Sequence, residues 1–531
     1  MPVAGGCSIL RRMGHPGLGR VQMNMASGIR EFARATPQAV AVVDGSRRLT
    51  YAQLMDRSVR LANSLRAHGL SDGDRVALLS GNRLEYPEVA TAAAIAGLVL
   101  VPLNPRLTAG EVAYIVGHSG ATSLVLDDHL ADRAAEAVAA GGLRCVLSMD
   151  GTALGEPYDE ALAGASSRHV PSVTAEGDPF GIFYSAGTTG QPKGIVVSHR
   201  ARVLTAFCSA VEWGLGPGRR TVAVAPLYHG AGFSFGYAGV QLGGTLVMLP
   251  SFDPEHLLDL VEKERPSTMF LVPTHAHMLR ALGADVVRRT DLSSLETLYF
   301  DAAPLPHALK LWILEAFPGI RLHELYGSTE AGIVTDLRPE DQLRKQRCAG
   351  QPWFMTELRV VDDEGAEVGF GGTGELYSRS PFLMNGYWRD DAGTQACTTA
   401  DGFLSAGDVA HLDDEGYVYI VDRKKDMIIS GGVNIYPREV EETLMAHPSV
   451  AEAAVVGVAS EKWGEDLKAY VVLRPGHRLD AAAIEAHCRS QLAGFKVPRQ
   501  IEALDALPRN AAGKVLKRAL GNGAGVLLEG G

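Results

Sequence analysis

YSAGTTGQPKG, residues 184–194, lies between two apolar runs of strand composition, FGIFYS and IVVSH. Three glycines let the backbone N–H groups of such a loop approach anionic oxygens, and Thr188 and Thr189 add hydroxyl donors. Lys193 supplies a mobile positive charge. The combination reads as a phosphate cradle. It is not a Walker loop, because G-x-x-x-x-G-K-[ST] is absent and Pro192 precedes the lysine.

Outward from this loop, strand-like runs alternate with helical patterns: RVALLS before EYPEVATAAAIAGL, then LVLVPL, GEVAYIVGHSG and SLVLDD, and later STMFLVP before HAHMLRALG. The alternation predicts an α/β fold of parallel sheets with helices on both faces. No repeat of 20 to 50 residues is present, so a solenoid is disfavoured. Past about residue 355 the texture shifts to LRVVDDEG, GELYSRS and YVYIVDR, which predicts a β-rich subdomain with Asp/Gly turns. From Asn434 the pattern is a small α+β unit. The boundary is expected in the charged stretch DRKKD, giving a leader over 1–25, a large domain over 26–423 and a small one over 424–531.

With 531 residues, the chain is too long for one ordinary core. Hydrophobic residues at 46% and charged residues at 21% are globular values. A net charge of −11 argues against nucleic acid or anionic membrane as partner. The six cysteines are scattered, without C-x-x-C or zinc spacing, and a reducing cytoplasm is the expected compartment. Residues 1–25 lack the apolar stretch of a secretory signal. Residues 221–250 carry no Asp, Glu, Lys or Arg, but Pro226, His229 and six glycines break the run. Buried strands flanking a helix are expected there, not a transmembrane segment.

Further motifs follow in a fixed order: YGSTE at 326–330, LSAGDV at 404–409, VDRKKDMI around Arg423, GGVNIYPREVE at 431–441 and LPRNAAGKVLKR at 507–518. With the loop at 184–194 they make six ordered segments, and over roughly residues 26–520 the chain resembles the adenylate-forming superfamily of acyl-CoA synthetases, luciferases and peptide-synthetase adenylation domains. The resemblance implies a large domain and a small mobile C-terminal domain that share one nucleotide cradle. It assigns ATP or AMP binding to Ser185, Gly187, Thr188, Thr189, Gly190 and Lys193, to Asp301, Ala302 and Ala303, and to Tyr326, Gly327, Ser328 and Thr329. Tyr326 would face the purine, Thr329 the α-phosphate, and Glu330 a magnesium ion, roles that suit an aromatic ring and a hard carboxylate. Asp408 would hold the ribose hydroxyls, with Arg423 beside it.

The same resemblance makes Lys514 the lysine of adenylation, with Lys193, Thr329 and Glu330 also serving catalysis, and Lys425 the hinge. Gly431 and Gly432 would line a pantetheine tunnel too narrow for side chains. PLYHGAGFSFGYAG at 226–239 would line the acyl pocket through His229, Gly230, Ala231 and Gly232, with Ala302 opposite. The small residues there, including Gly236 and Gly239, predict a roomy lining and a bulky or long hydrophobic acid. The implied activity is AMP-forming ligation of a carboxylic acid to coenzyme A, with ATP and Mg2+. A carrier-protein thiol is an alternative acceptor, and a homodimer is left open. Ala, Gly and Arg richness suggests a GC-rich bacterial source, where such ligases serve lipid or natural-product metabolism.

Three departures bear on the ATP-dependent half-reaction. Ser185-Ala186 stands where two hydroxyl residues are usual, Asp301-Ala302 where two glycines are common, and Ala406 where threonine is common. Asp301-Ala302 is expected to crowd a ligand-admitting strand, and a charged Asp301 facing the site would oppose phosphate and carboxylate alike. These motivate a second reading, a ligase that only thioesterifies a preformed acyl-adenylate. An inactive acyl-binding relative is a third, disfavoured by Glu330, Asp408, Arg423 and Lys514.

Overall fold

The computed structural model of the chain describes residues 22–151, 154–168, 174–185, 192–430, 433–460, 462–509 and 515–521. Runs such as Arg75–Leu79 and Val99–Leu103 are apolar throughout because both faces of their sheet are covered, and they pair in parallel. They lie in an eight-stranded sheet of order Gly386–Tyr387, Lys193–Ser198, Pro179–Ser185, Val99–Leu103, Arg75–Leu79, Ala121–Asp127, Cys145–Met149 and Glu156–Pro157. A nine-stranded sheet carries Thr297–Phe300, Arg321–Ser328 and Gly332–Leu337 toward one edge and Val40–Asp44 and Arg47–Thr50 at the other. Helix Glu85–Ala96 is buried along its whole length, with an apolar circumference to match. It joins the core that also holds Tyr86, Phe180, Phe183, Phe233 and Tyr237.

The expected β-rich layer is a four-stranded antiparallel sheet of Glu357–Val361, Thr373–Arg379, Asp408–Leu412 and Val418–Arg423. Ile428–Ser430 then opens a separate five-stranded sheet. Helices Pro437–Ala446 and Ala481–Gln491 contribute Val440, Leu444, Ile484 and Cys488 to the core of that last unit.

Three expectations change. Residues 1–21 lie outside the described residues, but Met25 is 2% exposed and its N–H donates to His199 Nδ1, while Asn24 donates to the Ala94 carbonyl. The end of the expected leader is therefore core. Asp301, Ala302 and Ala303 follow the strand Thr297–Phe300 instead of lying within it, so they crowd a turn and not a strand. Ala302 takes φ +73°, a backbone conformation that costs an alanine and not a glycine.

The third change concerns room. The charge-free run folds as strand Arg220–Ala223, helix Gly230–Gln241 and strand Thr245–Met248, as expected. Its glycines, however, face protein. A Cβ on Gly232 would overlap the Pro226 carbonyl, one on Gly236 would stand 2.7 Å from Leu227 Cδ2, and one on Gly239 would overlap Thr221. Their smallness lets a helix lie close to its own sheet and opens no space for a ligand. Among the described residues, no helix is long and apolar enough to cross a membrane.

Candidate active site

Tyr326 closes the strand Arg321–Ser328, whose antiparallel partner Gly332–Leu337 returns after a tight turn with a bulge at Tyr326/Gly327. Gly327 is required, since any Cβ there would overlap the Gly332 carbonyl. YGSTE is thus a hairpin, with Ser328 Oγ accepting the Ala331 N–H at 3.0 Å. Tyr326 Oη donates to Asp408 Oδ2 at 2.6 Å, and Arg423 Nε lies 2.9 Å from Asp408 Oδ1. Asp408 and Arg423 face each other across neighbouring strands, so sheet register alone brings this ion pair together. Burial, then the Asp408 charge, holds the Tyr326 phenol well above its ordinary range, so it serves as a hydrogen donor at any working pH. Gly407 has φ +80°, and its N–H donates to Ser405 Oγ, which itself donates to Glu375. The Ser405 hydroxyl is committed to that turn.

Toward the expected phosphate end, Thr329 packs on Gly230 so closely that a Cβ at Gly230 would stand 2.5 Å from Thr329 Oγ1. The Glu330 backbone carbonyl accepts the Met384 N–H at 2.8 Å, and its carboxylate accepts the Tyr387 hydroxyl at 3.1 Å. Lys193 Nζ stands 2.9 Å from Asp390 and 4.8 Å from the centre of the Tyr387 ring. Lys193, Tyr387 and Glu330 therefore form one chain of contacts. Among the described residues the Glu330 carboxylate takes one hydrogen bond, which leaves it lone pairs of the kind a magnesium ion takes. Gly187, Thr188, Thr189, Gly190, Gly431, Gly432 and Lys514 lie outside the described residues, as does Ala186.

His229 begins the expected acyl end. It precedes helix Gly230–Gln241 and lies 4.6 Å, ring to ring, from Tyr228. Burial, with a smaller push from Arg106, lowers its imidazole to about 4, so it is neutral near pH 7. Gly230 is buried, while Ala231 is half-buried beside the aromatic cluster of Trp213, Phe235 and Tyr299. The Asp301 carboxylate accepts its neighbour's N–H, from Ala302, at 2.6 Å. Burial pushes Asp301 up to about 7, against the pull of that hydrogen bond, and its charge is felt at Tyr326. Asp301 is thus a carboxyl held above the ordinary carboxylate range, with its charge acting on Tyr326.

Residues 29–388 match the family described as AMP-binding enzyme, and residues 439–514 match the AMP-binding enzyme C-terminal domain. The chain belongs to the AMP-binding enzyme family. Feruloyl-CoA synthase of Amycolatopsis sp is 40% identical over 91% of this chain and 96% of its own. The fatty acid–[acyl-carrier-protein] ligase ScoC of Streptomyces coeruleorubidus is 34% identical over 92% and 94%. Among solved structures, the O-succinylbenzoate coenzyme A synthetase of Bacillus subtilis in complex with ATP and magnesium ion superposes with a TM-score of 0.83. It is 29% identical, with 93% of this chain and 98% of that one covered.

In this AMP-binding enzyme, Tyr387 and Asp390 escaped the sequence reading. They stand about two hundred positions after Lys193, and only the pairing of Gly386–Tyr387 with Lys193–Ser198 along a sheet edge makes them neighbours. Arg202 escaped too, lacking any motif. Lys425 lies exposed in the 3-10 turn Lys424–Asp426 between the four-stranded sheet and Ile428–Ser430.

Proposed function

We propose that this AMP-binding enzyme is an AMP-forming ligase that activates a carboxylic acid as its acyl-adenylate and transfers the acyl group to coenzyme A. The observation that carries this reading is one arrangement: the Tyr326–Asp408–Arg423 cluster, then Thr329 and Glu330 on the same hairpin, then Gly230 against Thr329 with His229 next to it in the chain. A base, a ribose, a phosphate chain and a carboxylate occupy that order in an acyl-adenylate. Bound MgATP supplies the leaving group and the cation that screens the phosphates.

In this reading Asp408 orients the ribose, Glu330 holds the metal, Lys193 leaves Asp390 for the phosphates and neutral His229 borders the reacting carboxylate. Lys514 stabilises the adenylation transition state, Lys425 is the hinge of the small domain, and Gly431 and Gly432 border the thiol channel. The acid is bulky or long and apolar. Support comes from the relatives, which act on feruloyl, succinylbenzoyl and fatty acyl groups by name, and no longer from the glycines. The ScoC likeness favours a carrier-protein thiol as second acceptor.

Asp301 beside Tyr326 favours a second reading, weak adenylation with intact thioester formation. Each acid of a panel, offered with MgATP and as its preformed adenylate, separates the two. Acid-dependent pyrophosphate release and equal thioester yields support the full ligase. Thioester from the adenylates alone selects the second reading, and thioester from neither ends both.

A further inference from the structure

Helix His199–Trp213 brings Arg202 against the first turn of helix Gly230–Gln241. Its Nη1 donates to Ser234 Oγ and, at 3.3 Å, to the Gly230 carbonyl. The guanidinium lies 4.7 Å from the centre of the Phe183 ring, on the strand Pro179–Ser185. Among the described residues, Nε and Nη2 are sealed from solvent and meet no hydrogen-bond partner. No carboxylate among the described residues acts on the group, and burial alone lowers it to about 10. It remains a cation at neutral pH.

A buried cation with two idle N–H groups is costly, and native folds retain such a group where something else completes it. The idle pair is informative. Nε–H and the adjacent Nη2–H form the side edge of the fork, whose two parallel donors match both oxygens of one carboxylate. A neutral oxygen would satisfy an N–H but leave the charge unbalanced. Position narrows the source, because Arg202 touches Gly230, and Gly230 meets Thr329 on its other side. Phe183 and Phe233, ring against ring, give this flank an apolar character that suits an acid with an apolar body.

We propose that Arg202 is a specificity-determining residue that pairs with a second carboxylate on the acid, so that the favoured substrate is an apolar-bodied dicarboxylic acid of which one end is activated. This rests on the ligase reading above and adds the substrate class. Both carboxylates of such an acid present the same chemistry, so the test must distinguish the pairing of Arg202 with the retained group from pairing with the reacting one.

The full-length enzyme is assayed for pyrophosphate release with aromatic and aliphatic diacids, their monomethyl esters and neutral acids of matched length, including methoxylated aryl acids. For the wild type, kcat/KM for the preferred diacid is expected to exceed that of its half-ester by about tenfold or more, the scale of one charge-assisted pair. This arm needs no variant. In Arg202→Met the diacid-to-half-ester ratio falls to about one or below, and Arg202→Lys, which keeps the charge but loses the fork, lies between. Equal loss on every acid in both variants would assign Arg202 to the reacting carboxylate and overturn the proposal. So would a wild-type preference for half-esters or methoxylated acids. If no acid releases pyrophosphate and preformed adenylates yield no thioester, the ligase reading itself has failed; turnover of neutral acids without a diacid preference sinks only the role of Arg202.

Discussion

The two ends of the proposed site treat their polar groups differently. At the nucleotide end Tyr326, Asp408 and Arg423 close on one another, and Lys193, Tyr387, Glu330 and Asp390 form a second chain of partners. At the proposed acyl end Nε and Nη2 of Arg202 meet no hydrogen-bond partner among the described residues, and His229 is held neutral by burial. A group already oriented by its neighbours needs no ligand to find its place, whereas an idle buried donor is a demand that a ligand must answer.

That contrast can be broken by experiment. The largest effect is expected for Asp408→Ala, which leaves the Tyr326 hydroxyl and the Arg423 guanidinium without their acceptor. Loss of two hydrogen bonds to a charged group, at about 1.5 to 3 kcal/mol each, predicts a fall of roughly a hundredfold to ten-thousandfold in kcat/KM for ATP. A loss below tenfold would show that the cluster is structural only. Tyr387→Phe removes the single hydrogen bond to the Glu330 carboxylate, and about tenfold weaker apparent affinity for Mg2+ is expected in a magnesium titration.

Asp301 tests whether the nucleotide end is fully optimised. In the folded protein it keeps its proton to about 7, whereas the unfolded chain releases it near 3.8. The unfolded state thus binds fewer protons between those values, so stability declines as pH rises through that window and is level above it. Asp301→Asn should remove this slope, which Tm values at pH 5 and pH 8 will report as a gain that grows with pH. With the anion gone, the ATP-dependent half-reaction should rise by about threefold to tenfold at pH 8 and little at pH 5.5. A parallel pH profile in parent and variant would remove Asp301 from the argument. The smallest effect on activity is expected for Gly236→Ala, whose new methyl meets Leu227. Overpacking of about 1 to 3 kcal/mol should lower Tm while the relative rates across an acid panel stay as they were. A shift in chain-length preference would restore the glycines to the acyl lining.

Legibility followed the distance between cooperating residues. The loop at 184–194, YGSTE and GD at 407–408 each carry their chemistry within a few consecutive positions, so local residue order exposed them. Strands, helices and the charge-free run were equally readable, because period and apolar content are local properties. The glycines of 232–239 misled the reading for the same reason. Sequence records that a residue is small, but not whether protein or ligand fills the gap, and Pro226, Leu227 and Thr221 fill it here.

The sequence by itself determined the α/β class, the order of the motifs and the family to which they point, since all three are encoded in runs of adjacent residues. Only the tertiary structure decided that the charge of Asp301 is felt at Tyr326, that Tyr387 and Asp390 complete the Lys193–Glu330 chain, and that the side edge of Arg202 faces no partner among the described residues. These depend on sheet register and on what burial does to a charge, and neither exists until distant strands have met.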